Sequence, residues 1–158
     1  MQGLCLFKRS LNLKKYYILS SFLIFADLYS KYYVNSYISE DYFYLNNFIG
    51  LEVTYNTGIA WGLLAGHAEY TLVLSLLVCA WLLNQITNDP EEPLISLFLI
   101  LSGALGNISE RLYGLITGND GRVTDFLVLG PIPNFNIADS LITVGILYLL
   151  IFEFRREH

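Results

Sequence analysis

Between Lys31 and Arg111 the chain contains no lysine or arginine. Charged residues are 15% of the 158, against a usual share of about 25%, while apolar residues reach 54%. Such scarcity of charge points to a lipid-facing protein, and no nucleic-acid partner is expected. Cysteine is also scarce. Cys5 lies in a basic N-terminal stretch and Cys79 inside an apolar run, so a disulfide framework is not expected, and neither has metal-site spacing. The two histidines, His67 and His158, are far apart. No G-x-S-x-G, H-E-x-x-H or Walker loop occurs. Ser102, Ser109 and Ser140 have no evident base. No internal repeat or low-complexity tract is present.

What is there is a set of four apolar runs. A bilayer core of about 30 Å needs roughly 20 mostly apolar residues per helix. Segments near Tyr16–Tyr33, Tyr70–Ile86, Leu94–Leu112 and Ala138–Phe154 qualify. The run Asn88-Asp89-Pro90-Glu91-Glu92-Pro93 is a strong breaker, predicting a short turn between the second and third. The first run is long and holds Asp27 and Lys31, and no small-residue cleavage site follows it. It reads as a retained span, not a cleaved signal peptide. Lys8, Arg9, Lys14 and Lys15 before the first run, and Arg155 and Arg156 after the last, put both termini in the cytoplasm. The expected organisation is a basic tail over 1–15, one four-helix transmembrane domain over 16–154, and a short tail over 155–158. Connections 34–69 and 113–137 would then face outward. Leu51-Glu52-Val53-Thr54-Tyr55 alternates apolar and polar residues, predicting a strand in a small outer sheet. The tyrosines and phenylalanines at 42–48 suit an interfacial outer segment. The fold class is mainly α, integral to the membrane, with a small extracytoplasmic β-sheet.

Ionisable groups within a bilayer are costly and mark function. At 1.5 Å per residue, Asp27 lies about 18 Å beyond Lys15 and Lys31 about 24 Å. Asn107 lies about 21 Å beyond Pro93, Arg111 about 27 Å, and Asp139 about 24 Å from Arg155. Three helices thus bring polar groups to one layer, with Asn56 and Asp125 in outer loops above it. Asp27 and Lys31, four apart, either neutralise one another and buttress the bundle or contact substrate. Arg111 would anchor a carboxylate, hold a backbone carbonyl, or snorkel to the interface. Asp139 reads either as an acid favoured by the helix dipole or as catalytic, and Asp125 as a surface acid or as its partner. Two carboxyl groups brought close share a proton. One member can then take a proton from water while the other donates to a scissile carbonyl. No metal or other cofactor is needed.

At these positions the sequence resembles the lipoprotein signal peptidase family, signal peptidase II. The resemblance rests on Asp27-x-x-x-Lys31, on Asn56-Thr57-Gly58-Ile59-Ala60-Trp61-Gly62, and on Gly103-Ala104-Leu105-Gly106-Asn107-Ile108-Ser109-Glu110-Arg111. It continues through Gly121-Arg122-Val123-Thr124-Asp125-Phe126 and Phe135-Asn136-Ile137-Ala138-Asp139-Ser140. It runs from about residue 16 to 154. It implies an aspartic endopeptidase that removes signal peptides from bacterial prolipoproteins bearing a diacylglyceryl cysteine. It also implies the dyad Asp125 and Asp139, with Asp27, Lys31, Asn56, Gly58, Asn107, Arg111, Asn136 and Ala138 binding or supporting. Asn56, Asn107, Arg111 and Asn136 would satisfy the substrate backbone. Further implications are a multi-pass plasma-membrane (inner-membrane) location, an active site near the outer face, membrane lipids as surroundings, and blockage by globomycin-type inhibitors. One chain supplies every group, so a monomer is expected. Two positions depart from the family pattern: Glu110 stands where aspartate is usual, and Ser102 precedes Gly103 where paired glycines are common.

The rival reading is a small non-enzymatic polytopic protein, such as a proton or ion transporter subunit. A path across the membrane should carry ionisable groups at several depths, and the inner halves of these spans are nearly free of them. An inactive scaffold of the same fold is disfavoured by the intact pair of aspartates.

Overall fold

The computed structural model describes the backbone of residues 2–46, 48–58, 64, 66–88 and 93–157, and the side chains among them from Leu13 to Arg156. The 89–92 part of the expected turn, the Ile59–Gly62 part of the second motif, the side chains of Cys5, Lys8 and Arg9, and His158 lie outside the described residues.

Among the described residues there are four helices: α1 (Gln2–Tyr37), α2 (Ala68–Asn88), α3 (Leu94–Thr117) and α4 (Ile137–Glu157). Each contains one of the predicted apolar runs. Helix α1 is about 54 Å long and no proline interrupts it. The backbone of the basic N-terminal stretch is therefore helical and continuous with the first run. Helices α2, α3 and α4 are long and apolar enough to cross a membrane. In α1, Asp27, Lys31 and a series of tyrosines dilute the apolar character.

Helix α3 is central and packs on each of the other three. Its buried face includes Leu97, Phe98, Leu101, Ala104 and Ile108, joined by Cys79, Leu82 and Ile86 of α2. Outward faces are apolar too, with Leu77 and Trp81 of α2 and Leu147, Leu150 and Ile151 of α4 all exposed. A bundle apolar on its outside is suited to lipid, not water. Helix α3 ends where Gly118 adopts φ 78°, the left-handed cap conformation that glycine takes without strain.

Close approach between helices depends on glycine. A Cβ on Gly103 would collide with the Ala138 carbonyl oxygen of α4, and one on Gly145 would sit 2.6 Å from Ile100 Cγ1. Ser102, beside Gly103, does more than stay small. Its hydroxyl lies 2.7 Å from that of Ser20 on α1, and both are buried.

One end of the bundle carries an antiparallel sheet of β1 (Tyr42–Tyr44), β2 (Ile49–Asn56), β3 (Val123–Leu129) and β4 (Ile132–Phe135), in that order. Strand β2 contains the predicted Leu51–Tyr55. Strand β3 corrects the sequence reading: Asp125 is not in a loop but in the sheet, opposite Thr54. Val123, Thr124, Asp125 and Phe126 are all buried. A strand covered on both faces loses the polar–apolar alternation by which strands are recognised.

Candidate active site

The polar layer forms one connected cluster where the sheet meets the helices. Asp125 comes from β3 and Asp139 from the first turn of α4, and Asn136 joins them. Asn136 Nδ2 donates to Asp125 Oδ1 at 2.7 Å. The Asn136 backbone N–H donates to Asp139 Oδ2 at 3.2 Å, and Asn136 Oδ1 accepts the Asp139 N–H at 2.9 Å. The last two contacts are a reciprocal cap on α4, so the helix-start reading of Asp139 holds. That cap also fixes the orientation of the carboxylate.

The outer oxygens are held as well. Asn56 Nδ2 donates to Asp125 Oδ2 at 3.2 Å, and Asn107 Nδ2 to Asp139 Oδ1 at 2.9 Å. Asn56 is itself fixed, because its Oδ1 accepts the Gly58 N–H at 2.8 Å. Asp125 is only 4% exposed. Burial, with the Asp139 carboxylate nearby, pushes its carboxyl up to about 7, against the opposing effects of Asn56, Lys31 and Asn136.

Behind the two acids lies Lys31. Its Nζ is 2.8 Å from Asp27 Oδ2 and 3.2 Å from Glu110 Oε2, and it donates to Asn107 Oδ1 at 2.7 Å. Asp27 therefore does not simply neutralise its helical neighbour. Its other oxygen accepts the Ala138 N–H at 2.8 Å and ties the start of α4 to α1. Gly106 leaves room for this carboxylate; a Cβ there would sit 2.6 Å from Asp27 Oδ2.

Of the alternatives open for Arg111, the structure shows the one in which it holds backbone. Nη1 donates to the carbonyls of Thr57 at 3.1 Å and Gly121 at 2.9 Å, and Nη2 to that of Gly58 at 2.8 Å. It is 6% exposed and does not snorkel. The 57–58 segment, which follows Asn56 at the end of β2 and not within a loop, is thereby pinned to the turn before β3. The amides of Asn56, Asn107 and Asn136 are likewise engaged within the chain. These contacts position the four residues around the two acids and the loops beside them.

All ten residues singled out from the sequence thus fall in one cluster, through a side chain or, for Ala138 and Gly58, through backbone. The reading missed Thr124 and Asn35, which join it through their side chains. Neither has a sequence signal, since a threonine in a strand and an asparagine at a helix end are both ordinary. Among the described residues, no group of three or more His, Cys, Asp or Glu is placed to hold a metal ion. The arrangement links two carboxyl groups through one asparagine, a pairing suited to acid–base chemistry on water.

Comparison with known proteins identifies the family. The family described as Signal peptidase (SPase) II matches residues 19–155. A lipoprotein signal peptidase of Francisella tularensis subsp. mediasiatica (strain FSC147) is 37% identical, covering 86% of this chain and 89% of its own. One from Staphylococcus aureus (strain bovine RF122 / ET3-1) is 29% identical, covering 87% and 90%. A bacterial membrane enzyme solved by the in meso method at 2.3 Å resolution shares the fold, with TM-score 0.79 and 24% identity over 90% of this chain and 88% of that one. A match over residues 19–155 leaves one assignment: this protein is a peptidase of the signal peptidase II family.

Proposed function

We propose that the chain removes the signal peptide from bacterial prolipoproteins whose cysteine carries a diacylglyceryl group, using Asp125 and Asp139 as an aspartic dyad. The observation that carries this reading is the shared asparagine. Asn136 contacts both carboxyl groups at once, and so holds them as a pair.

Asp125 carries the proton, because its burial favours the neutral form. Asp139 sits in the first turn of α4, its carboxyl held by the Asn136 N–H and the Asn107 amide. Asp139 takes a proton from water as its oxygen attacks the scissile carbonyl carbon, and Asp125 gives its proton to the carbonyl oxygen. The tetrahedral intermediate then collapses. The C–N bond breaks, the leaving nitrogen is protonated, and the dyad returns to its singly protonated form. The products are a signal peptide ending in a carboxyl group and a lipoprotein beginning with a free amine.

The four helices cross the plasma membrane with both termini in the cytoplasm, and the sheet rests on the outer surface. In support, the described basic residues Lys14, Lys15, Arg155 and Arg156 lie at the end of the bundle opposite the sheet. The scissile bond precedes a cysteine whose acyl chains stay in lipid, so the cut falls at the interface, where water reaches the dyad. Substrate enters sideways from the bilayer, and one chain acts alone. Cyclic peptides of the globomycin type bind at the dyad. The rival reading, an ion path, fails on the same layering: the ionisable cluster occupies one depth.

Purified protein in detergent, incubated with a diacylglyceryl-modified prolipoprotein, should shift that substrate on a gel to the mature size. It should leave the unmodified precursor intact. Equal cleavage of the two forms would contradict lipid recognition, and no cleavage of either would contradict the activity.

A further inference from the structure

Glu110 touches neither acid of the dyad, yet its carboxylate is fully used. Oε1 accepts both the Thr124 backbone N–H at 3.1 Å and the Thr124 hydroxyl at 2.6 Å. Oε2 faces Lys31 Nζ at 3.2 Å. The Thr124 hydroxyl in turn accepts from Asn35 Nδ2 at 2.8 Å, and Asn35 Oδ1 accepts the Tyr55 hydroxyl at 2.9 Å. Thr124 is 2% exposed. Strand β3 is thus tied to α3 and α1 at the residue immediately before Asp125.

Successive side chains of a strand point to opposite faces. Holding both the N–H and the hydroxyl of Thr124 on the Glu110 side turns Asp125 toward Asn56 and Asn136. Hydrogen bonds to an ionised carboxylate are shorter and stronger than neutral ones, so the tie resists rotation of the strand. Its span uses the full length of glutamate. One oxygen must reach β3 while the other stays on Lys31, and removing a methylene shortens the side chain by about 1.5 Å.

We propose that Glu110, acting through Thr124, is the positioning residue of Asp125. This rests on the dyad reading above.

The test uses the full chain and the lipid-modified prolipoprotein, with kcat, KM and the pH dependence of kcat measured for each variant. Thr124→Val removes the hydroxyl at nearly constant shape, and Thr124→Ser restores it. The titratable groups facing Asp125 are Asp139 on α4, Lys31 on α1 and Arg111 on α3. None is altered by these substitutions. Thr124→Val should lower kcat about tenfold, the effect of one charge-assisted hydrogen bond, with KM within about twofold. A loosened Asp125 gains water and moves away from Asp139, so the alkaline limb of kcat should move to lower pH. Thr124→Ser should stay within about twofold of the parent. Glu110→Asp should lower kcat about as much as Thr124→Val, and combining the two should add less than about twofold. A Thr124→Val enzyme with unchanged kcat and pH profile overturns the proposal, even if it melts earlier. Losses that multiply in the double variant, or a Thr124→Ser enzyme as impaired as Thr124→Val, also overturn it. Asp125→Asn is run alongside. Cleavage retained there overturns the dyad and this role together, whereas an inactive Asp125→Asn beside an unaffected Thr124→Val overturns only the role of Glu110.

Discussion

Asn136 and Asp139 cap each other: the side chain of each accepts the backbone N–H of the other, at 2.9 Å and 3.2 Å respectively. The same Asn136 amide donates to Asp125. Helix initiation and alignment of the acids are therefore one structural event. Asn136→Ala should cost about 1 kcal/mol through the lost cap. It should also lower kcat far more than stability, by about a hundredfold, because Asp125 loses a donor and the turn that orients Asp139 loses its cap. Thermal melting and initial rates on the same preparation separate the two effects. A rate loss no larger than the stability loss accounts for would contradict the pairing role.

Lys31 is the one cation in contact with Asp27 and Glu110 among the described ion pairs, and Asp27 is fully buried. Removing one partner of a buried pair leaves a charge without compensation, typically at about 3–5 kcal/mol. Lys31→Met should be destabilised on that scale. The double variant Asp27→Asn/Lys31→Met should recover part of the loss, since the amide replacing the Asp27 carboxylate keeps an oxygen that accepts the Ala138 N–H. Denaturation in mild detergent provides the comparison; a Lys31→Met protein as stable as the parent would show that the pair holds little.

Gly106 faces Asp27 so closely that a Cβ there would lie 2.6 Å from Oδ2. Gly106→Ala must push Asp27 off the start of α4 or part α3 from α1. Overpacking of this kind costs about 1–3 kcal/mol, and the activity should fall with it because α4 carries Asp139. Melting temperature and cleavage rate together test this, and a fully active, equally stable Gly106→Ala protein would contradict the close packing.

Asp125 makes a pH-dependent contribution to stability. Its folded-state carboxyl is raised from an ordinary 3.8 to about 7, so the folded protein holds the proton more tightly than the unfolded chain. The cost of ionising it is absent below about pH 4, grows as pH rises, and is complete above about pH 7. Asp125→Asn removes that cost. The variant should gain at least about 1 kcal/mol relative to the parent at pH 8, a few degrees in Tm, and no comparable gain at pH 4. Melting curves at the two pH values decide it, and an equal difference at both would remove the basis for a protonated Asp125.

Much of this was legible before the structure. Three apolar runs bounded by Gly, Pro and polar residues became α2, α3 and α4 near their predicted limits. The four-residue spacing of Asp27 and Lys31 announced their ion pair, and helical rise alone put Asn107, Arg111 and Asp139 in one layer. Strand β3 was not legible, because Val123-Thr124-Asp125-Phe126 is buried on both faces and shows no alternation. Its partner Asn56 lies far away in sequence, opposite Val123, a pairing that no local pattern encodes. Nor did the sequence say what Arg111 would hold. Three carbonyls converge on its guanidinium only once the 57–58 loop and the 121 turn are folded together.

The central claim is that Asp125 and Asp139 together activate water on a peptide bond. The most direct measurement is the cleavage rate of a diacylglyceryl-modified prolipoprotein by Asp125→Asn and Asp139→Asn, in the presence of a metal chelator, with folding verified by thermal melting. The account predicts full activity of the parent in chelator and a loss of at least about a thousandfold in each variant. Substantial cleavage by either folded variant, or inhibition of the parent by chelator that added zinc reverses, would contradict it.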